Sequence, residues 1–196
     1  GDITAAAPLN STSWAVRTVP EVSGGMVVED PQSGRVLAMQ GGFDARLGSF
    51  NRATQANRQP GSTIKPFVYA TALDNGMTPA STVVDGTFCV YQGAALGEKC
   101  FRNFGNSGGS GSHTMRWGLE QSRNLMTVRV AQEIGMEKVA DYAERFGVYS
   151  PMQPFLANAL GAQETTLFKM VAAYSMFANG GERVEPTLVD RVQDRF

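Results

Sequence analysis

Gln59-Pro60-Gly61-Ser62-Thr63-Ile64-Lys65-Pro66-Phe67 is the stretch on which the reading of this chain turns. Ser62 and Lys65 stand three apart, so on a helix both side chains share one face, about one turn apart. Pro66 lacks an N–H and clashes with a preceding helical turn, so it must sit in or just after the first turn of any helix that holds it. That places Ser62 at a helix N-terminus, directly after a Pro-Gly break, with a helix expected from about Ser62 to Asp74 and stopped by Asn75-Gly76. Backbone N–H groups there lack intrahelical partners and can donate to an oxyanion, and the helix dipole favours negative charge on the serine oxygen. A serine hydroxyl needs a base. Lys65 is the neighbouring candidate, provided burial or a nearby cation lowers its pKa. The same spacing also fits an N-cap serine beside a solvated lysine.

A second segment, Glu120-Gln121-Ser122-Arg123-Asn124, lies between two helical patterns. In a short turn Ser122 and Asn124 can point into one cleft, Ser122 to relay a proton and Asn124 to bond a substrate amide and hold the lysine; Ser122 can equally cap the following helix. Further out, Gly25–Asp30 and Arg35–Gln40 read as the strands of an antiparallel hairpin around the turn Pro31-Gln32-Ser33-Gly34. Residues 1–23 read as an extended lead-in or linker segment. Residues 76–113 read as a long Gly-, Pro- and Ser-rich region, in which the run at 105–112 is either a flexible loop or an engineered linker. Helices are expected near 114–121, 123–134, 137–146 and 165–179, and a last strand from Thr187 to Val192. Strands followed by a helical block argue for an α+β fold.

Composition narrows the class. The chain has 196 residues, 17 Lys+Arg against 18 Asp+Glu, and a net charge of −1, which gives no electrostatic case for nucleic acid or an anionic membrane surface. Its 22 glycines show no collagen-like period. Cys89 and Cys100 lie in a stretch with too few ligand types for a structural zinc site. They are either a disulfide across a short loop, which implies an oxidising compartment, or two unrelated buried thiols. His113 reads as a surface-loop residue, Trp14 and Trp117 as packing residues, Phe67, Phe168 and Phe177 as core. Arg123 and Arg129 read as solvated or as ligands of an anionic peptide.

Pro-Gly-Ser62-Thr-Ile-Lys65-Pro-Phe resembles the nucleophile motif of penicillin-binding protein transpeptidases. Ser122-Arg123-Asn124 resembles their second motif, Ser-x-Asn. Val27–Met39 looks like their opening hairpin. Ser122–Gln132, Ala159–Thr166 and Ala173–Gly181 look like their helical block, and Arg123 and the 159–181 block look most like the class A, bifunctional enzymes. The match runs from about residue 24 to 196. The resemblance implies an α+β serine transpeptidase/β-lactamase-like fold, an antiparallel sheet plus a helical block. It implies D,D-transpeptidation of peptidoglycan stem peptides through an acyl-enzyme on Ser62, with Lys65 as base, Ser122 as proton relay and Asn124 as substrate anchor. It also implies acylation of Ser62 by β-lactams, no metal and no cofactor. The expected location is the periplasmic or extracytoplasmic face of a bacterial inner membrane, with an upstream glycosyltransferase domain and membrane anchor in the parent protein.

The family's third motif, Lys-Thr-Gly or Lys-Ser-Gly, has no counterpart, because none of Lys65, Lys99, Lys138 and Lys169 precedes Thr-Gly or Ser-Gly. Residues 24–196 are therefore expected to form a partial transpeptidase domain lacking its C-terminal strands, with the missing strand on a longer parent or on a second bound chain. The losses would be an oxyanion donor, typically worth about 10²–10³ in rate, and the remaining sheet. Other readings are a class A-like β-lactamase, for which Glu164 has no clear claim as the deacylating glutamate, a β-lactam sensor domain, and a fragment inactive without the missing strands.

Overall fold

The computed structural model describes residues 5–18, 20–46, 48–91, 94 and 97–194. In chain order its elements are β1 (Ala5–Pro8), β2 (Trp14–Arg17), β3 (Met26–Glu29), β4 (Val36–Gln40), α1 (Lys65–Asp74), β5 (Thr82–Asp85), β6 (Phe88–Tyr91), β7 (Glu98–Phe101), β8 (Gly111–Thr114), α2 (Met115–Glu120), α3 (Asn124–Ile134), α4 (Met136–Arg145) and α5 (Leu167–Ala178). Short 3-10 turns cover Gly61–Ile64, Phe104–Asn106 and Leu156–Leu160. No described helix is long and apolar enough to cross a membrane. The chain divides into two compact units, residues 1–56 with 166–196, and residues 57–165.

In the first unit β3 and β4 pair antiparallel, Val27 opposite Met39 and Val28 opposite Ala38, with a register shift at Val28/Glu29. The expected turn closes on Asp30, whose side chain accepts from the Gln32 N–H and the Ser33 hydroxyl, an Asx-type arrangement. α5 packs against β3, burying Met170, Ala173 and Met176. The lead-in segment folds back on itself, β1 pairing with β2 from Ala5–Arg17 to Pro8–Trp14. Thr187 makes only a parallel bridge with Arg35, so the strand expected at 187–192 is reduced to that contact and an Arg35–Asp190 ion pair. Trp14 is 65% exposed, and Phe177, whose ring meets Tyr174 edge-on at 5.9 Å, is 45% exposed, so neither is a core residue.

The second unit is built around α1. Its Phe67, Val68, Tyr69 and Ala72, and Ile64 just before it, are all buried, and α3 and α4 cover it. A helix apolar on most sides must be enclosed. Phe67 meets Phe146 edge-on with ring centroids 5.0 Å apart. α3 contributes Leu125, Met126, Val128, Val130 and Ala131, and α4 contributes Val139, Ala140 and Ala143.

The region expected as a long loop, 76–113, holds two nested ribbons. β5 pairs with β8, Thr82 opposite Thr114 and Asp85 opposite Gly111. Between them β6 pairs with β7, and the directly opposed Cys89 and Cys100 form a disulfide. Composition hid the ribbons because β8 is Gly-Ser-His-Thr, a string of modest strand preference whose pairing is set by a partner 26 residues earlier at its tip, Asp85 opposite Gly111.

Candidate active site

Ser62 lies in the 3-10 turn Gly61–Ile64, and the Lys65 N–H donates to the Ser62 carbonyl, so the turn runs directly into α1. Pro66 occupies the first turn of α1, where its missing N–H removes no helical bond. Ser62 is exposed, whereas Lys65 is only 1% exposed. The backbone before Ser62 is clamped from outside its own segment. Arg58 and Thr165 exchange N–H···O bonds of 2.9 and 3.0 Å, and the Gly61 N–H donates to the Gly161 carbonyl at 3.3 Å. Both glycines have positive φ, +57° and +74°, and a Cβ on Gly161 would stand 2.4 Å from the Gly61 nitrogen. The turn that presents Ser62 therefore requires glycine on its neighbour.

The turn between α2 and α3 presents the second motif. Ser122 adopts φ +51°, a left-handed conformation that costs a residue with a Cβ about 1–3 kcal/mol. Two backbone bonds hold it there, the Ser122 N–H to the Leu119 carbonyl at 3.0 Å and the Arg123 N–H to the Gly118 carbonyl at 2.9 Å. The N-cap of α3 is Arg123, with no side-chain cap, so Ser122 does not cap that helix. Its strained geometry instead turns both its carbonyl and its hydroxyl to Lys65.

Lys65 joins the two segments. Its Nζ donates to the Ser122 carbonyl at 2.6 Å, to the Asn124 Oδ1 at 2.7 Å and to the Ser122 Oγ at 3.1 Å. The amide orientation of Asn124 is set by its own Nδ2, which donates to the Arg102 carbonyl at 3.0 Å. Burial, and secondarily the Arg123 charge, lower the lysine from its ordinary pKa of 10.5 to about 8.

Arg123 is neither solvated nor free to take a peptide ligand. Its guanidinium bonds the Asp85 carboxylate through Nε at 2.9 Å and Nη2 at 2.6 Å, and the Asp85 side chain has no exposed surface. Arg129 donates to the Gly86 and Thr87 carbonyls and lies 5.1 Å from the Phe88 ring centre. His113 stacks on Trp117 at 3.7 Å and bonds Ser110, as part of the β8–α2 corner. The 105–112 run is anchored: Ser110 donates to Asp85 through its N–H and hydroxyl, and a Cβ on Gly109 would stand 2.0 Å from the Asp85 carbonyl oxygen. Among the described residues, Cys89, Glu98 and Cys100 form one group of metal-ligand types, but both sulfurs are spent in the disulfide.

Sequence reasoning missed Asp85, Asn103, Ser110 and the role of Gly161. Asp85 stands in Val84-Asp85-Gly86, which reads as an ordinary turn, and no spacing links it to Arg123.

Residues 24–196 match the family model described as the penicillin binding protein transpeptidase domain. The chain is 43% identical over 195 residues to penicillin-binding protein 1A of Rickettsia prowazekii, covering all of this chain and 24% of that protein. It is 43% identical over 188 residues to penicillin-binding protein 1A of Neisseria meningitidis, covering 95% of this chain and 23% of that protein. A 2.6 Å crystal structure of penicillin-binding protein 1A from Haemophilus influenzae superposes with a TM-score of 0.82 at 34% identity, over 92% of this chain and 27% of that one. PonA1 of Mycobacterium tuberculosis, solved in complex with penicillin V, superposes at 0.72 with 26% identity, over 84% of this chain and 45% of that one. The chain thus spans about a quarter of the length of the curated relatives. The matched span covers Ser62, Lys65, Ser122 and Asn124 together, and by it the chain belongs to the penicillin-binding protein transpeptidase family, its relatives here being class A 1A proteins.

Proposed function

We propose that this chain carries the acyl-transfer centre of a peptidoglycan D,D-transpeptidase. One observation carries the reading: the Lys65 ammonium binds Ser122 and Asn124 from the base of the turn that presents Ser62.

Donor arithmetic supports a proton path through Ser122. A lysine ammonium has three N–H donors, and its three acceptors use them all. The neutral amine keeps two N–H groups and gains a lone pair. The Ser122 carbonyl and the Asn124 Oδ1 can only accept, so they retain the two N–H bonds. The Ser122 hydroxyl can donate as well as accept, and the lone pair falls to it. Lys65 then takes the proton of the Ser122 hydroxyl, which in turn takes that of Ser62. The Ser62 oxygen attacks the carbonyl of the penultimate D-Ala of a stem peptide, forming the C–O bond. The C–N bond to the terminal D-Ala breaks, and the leaving amine receives the proton back through Ser122. The amine of a neighbouring stem then attacks the ester, forming the cross-linking C–N bond as the C–O bond to Ser62 breaks, and the proton the amine gives up returns through Ser122 to the Ser62 oxygen. A β-lactam offers its ring amide to the same oxygen, and the ester on Ser62 persists.

The wider setting belongs to the same reading. The complete protein would work on the extracytoplasmic face of the inner membrane, where a Cys89–Cys100 disulfide persists. It would add an upstream membrane anchor and glycosyltransferase domain in the parent protein, and the Lys-Thr-Gly strand in the same polypeptide or on a second bound chain. No metal or cofactor enters the reaction.

Labelled penicillin followed by peptide mapping tests the proposal. The expected result is one adduct, on Ser62, absent from Ser62→Ala and hydrolysed slowly. Label retained by Ser62→Ala would overturn the nucleophile assignment, and rapid hydrolysis would point to a β-lactamase instead.

A further inference from the structure

We propose that Asp85 is the positioning residue of the Lys65–Ser122–Asn124 cluster, setting the second motif from behind through Arg123 and Asn103; the inference rests on the acyl-transfer reading above. Asp85 ends β5 and touches none of the reacting groups. Its carboxylate is wholly buried, and such a charge persists only where donors compensate it. Five hydrogen bonds do so here. Oδ2 accepts from Arg123 Nε and Nη2 and from the Ser110 N–H and hydroxyl, and Oδ1 accepts from Asn103 Nδ2 at 2.9 Å.

Those bonds end on the residues that flank Asn124. Arg123 is held directly. Asn103, oriented by its bond to Asp85, accepts the Leu125 N–H at 3.2 Å, which is an otherwise orphaned donor in the first turn of α3. Arg102, next to Asn103, supplies the carbonyl that fixes the Asn124 amide. The Gly108 carbonyl closes the network by accepting from both Asn103 Nδ2 at 3.2 Å and Arg123 Nη2 at 3.0 Å. One carboxylate therefore fixes residues 123 and 125, and the 102–103 segment that orients 124. Ser122, the preceding residue, sits in a left-handed conformation that its own preferences oppose. A loose Arg123 lets Ser122 relax, and with it the carbonyl and hydroxyl that face Lys65.

The test compares wild type, Asp85→Asn and Asn103→Ala in the full-length protein. Saturating labelled penicillin gives the fraction of competent sites, and rapid mixing gives the acylation rate constant per competent site. Misplacement of catalytic groups by about 1 Å can cost up to about 100-fold. The expected result for Asp85→Asn is a rate constant about 10-fold to 100-fold lower, with the competent fraction close to wild type. A merely structural aspartate would lower the competent fraction and leave the rate per site unchanged, and that outcome overturns the proposal. If Asp85→Asn does not fold, Asn103→Ala decides. That variant keeps the Asp85–Arg123 pair and removes the bond to Leu125, and an unchanged rate per site would equally overturn the proposal. Failure of wild-type protein to label at Ser62 would instead refute the acyl-transfer reading itself.

Discussion

At the scale of single residues, the chemistry rests on one lysine kept largely out of water. An ordinary lysine with a pKa of 10.5 would leave only about one side chain in 3,000 neutral at pH 7, whereas a value of about 8 leaves roughly a tenth. The neutral form is the base, so penicillin acylation should rise about tenfold per pH unit below 8 and level off above it. Stopped-flow acylation against pH measures that limb, and a flat profile from pH 6 to 9 would contradict it. Arg123→Gln sharpens the test. It removes the cation that helps to depress Lys65 and leaves the Asp85 carboxylate without its counter-charge, and both changes favour the ammonium. The limb should move to higher pH. The folded-state pKa lies below the unfolded one, so stability gains from Lys65 as pH rises from about 8 to 10.5, where the unfolded chain alone still binds the proton.

At the scale of elements, the turn before α1 and the ribbon β6–β7 make separable contributions. Gly161→Ala forces a Cβ against Gly61 and keeps a φ of +74° that alanine resists. A loss of about 1–3 kcal/mol is expected, together with slower acylation, because the displaced backbone carries Ser62; denaturant melts and penicillin labelling read the two effects. Replacing both Cys89 and Cys100 by Ser should cost about 2–3 kcal/mol by the loop-entropy argument while leaving Ser62 reactive, as the ribbon's cysteines contribute nothing to the Lys65 cluster. Much of this was legible beforehand. Pro66 announced the start of α1, Asn75-Gly76 its end, and Pro31–Gly34 the hairpin turn, because each acts through local backbone chemistry. Ser122 as a strained turn residue and Asp85 as its distant brace were not legible. Asp85 meets Arg123 across 38 residues and Ser122 meets Lys65 across 57, and such contacts leave no periodic mark. The Gly/Ser run at 105–112 misled for a related reason. Its small residues look like slack, yet Gly109 is small because it lies on the Asp85 backbone.

At the scale of the whole molecule, the described strands form four separate two-stranded sheets, and among the described residues only β4 gains a contact on its outer edge, where the Val36 N–H donates to the Thr187 carbonyl. Two-stranded ribbons are marginal alone and their open edges invite pairing with other chains. The β3–β4 ribbon adds apolar surface to that hazard, with Met26 54%, Val28 42% and Leu37 58% exposed. A net charge of −1 supplies almost no repulsion to keep copies apart. Residues 1–196 prepared as an isolated polypeptide should therefore self-associate in a concentration-dependent way. Light scattering coupled to size exclusion reads this directly. Lysines at exposed strand positions are a common natural guard against edge pairing, so Val28→Lys with Leu37→Lys should shift the distribution toward monomer. Neither residue belongs to the unit that holds the Lys65 cluster, and penicillin labelling per chain should stay as it was before the change. Association that persists unchanged in the double variant would place the sticky surface elsewhere and remove β3–β4 from the explanation.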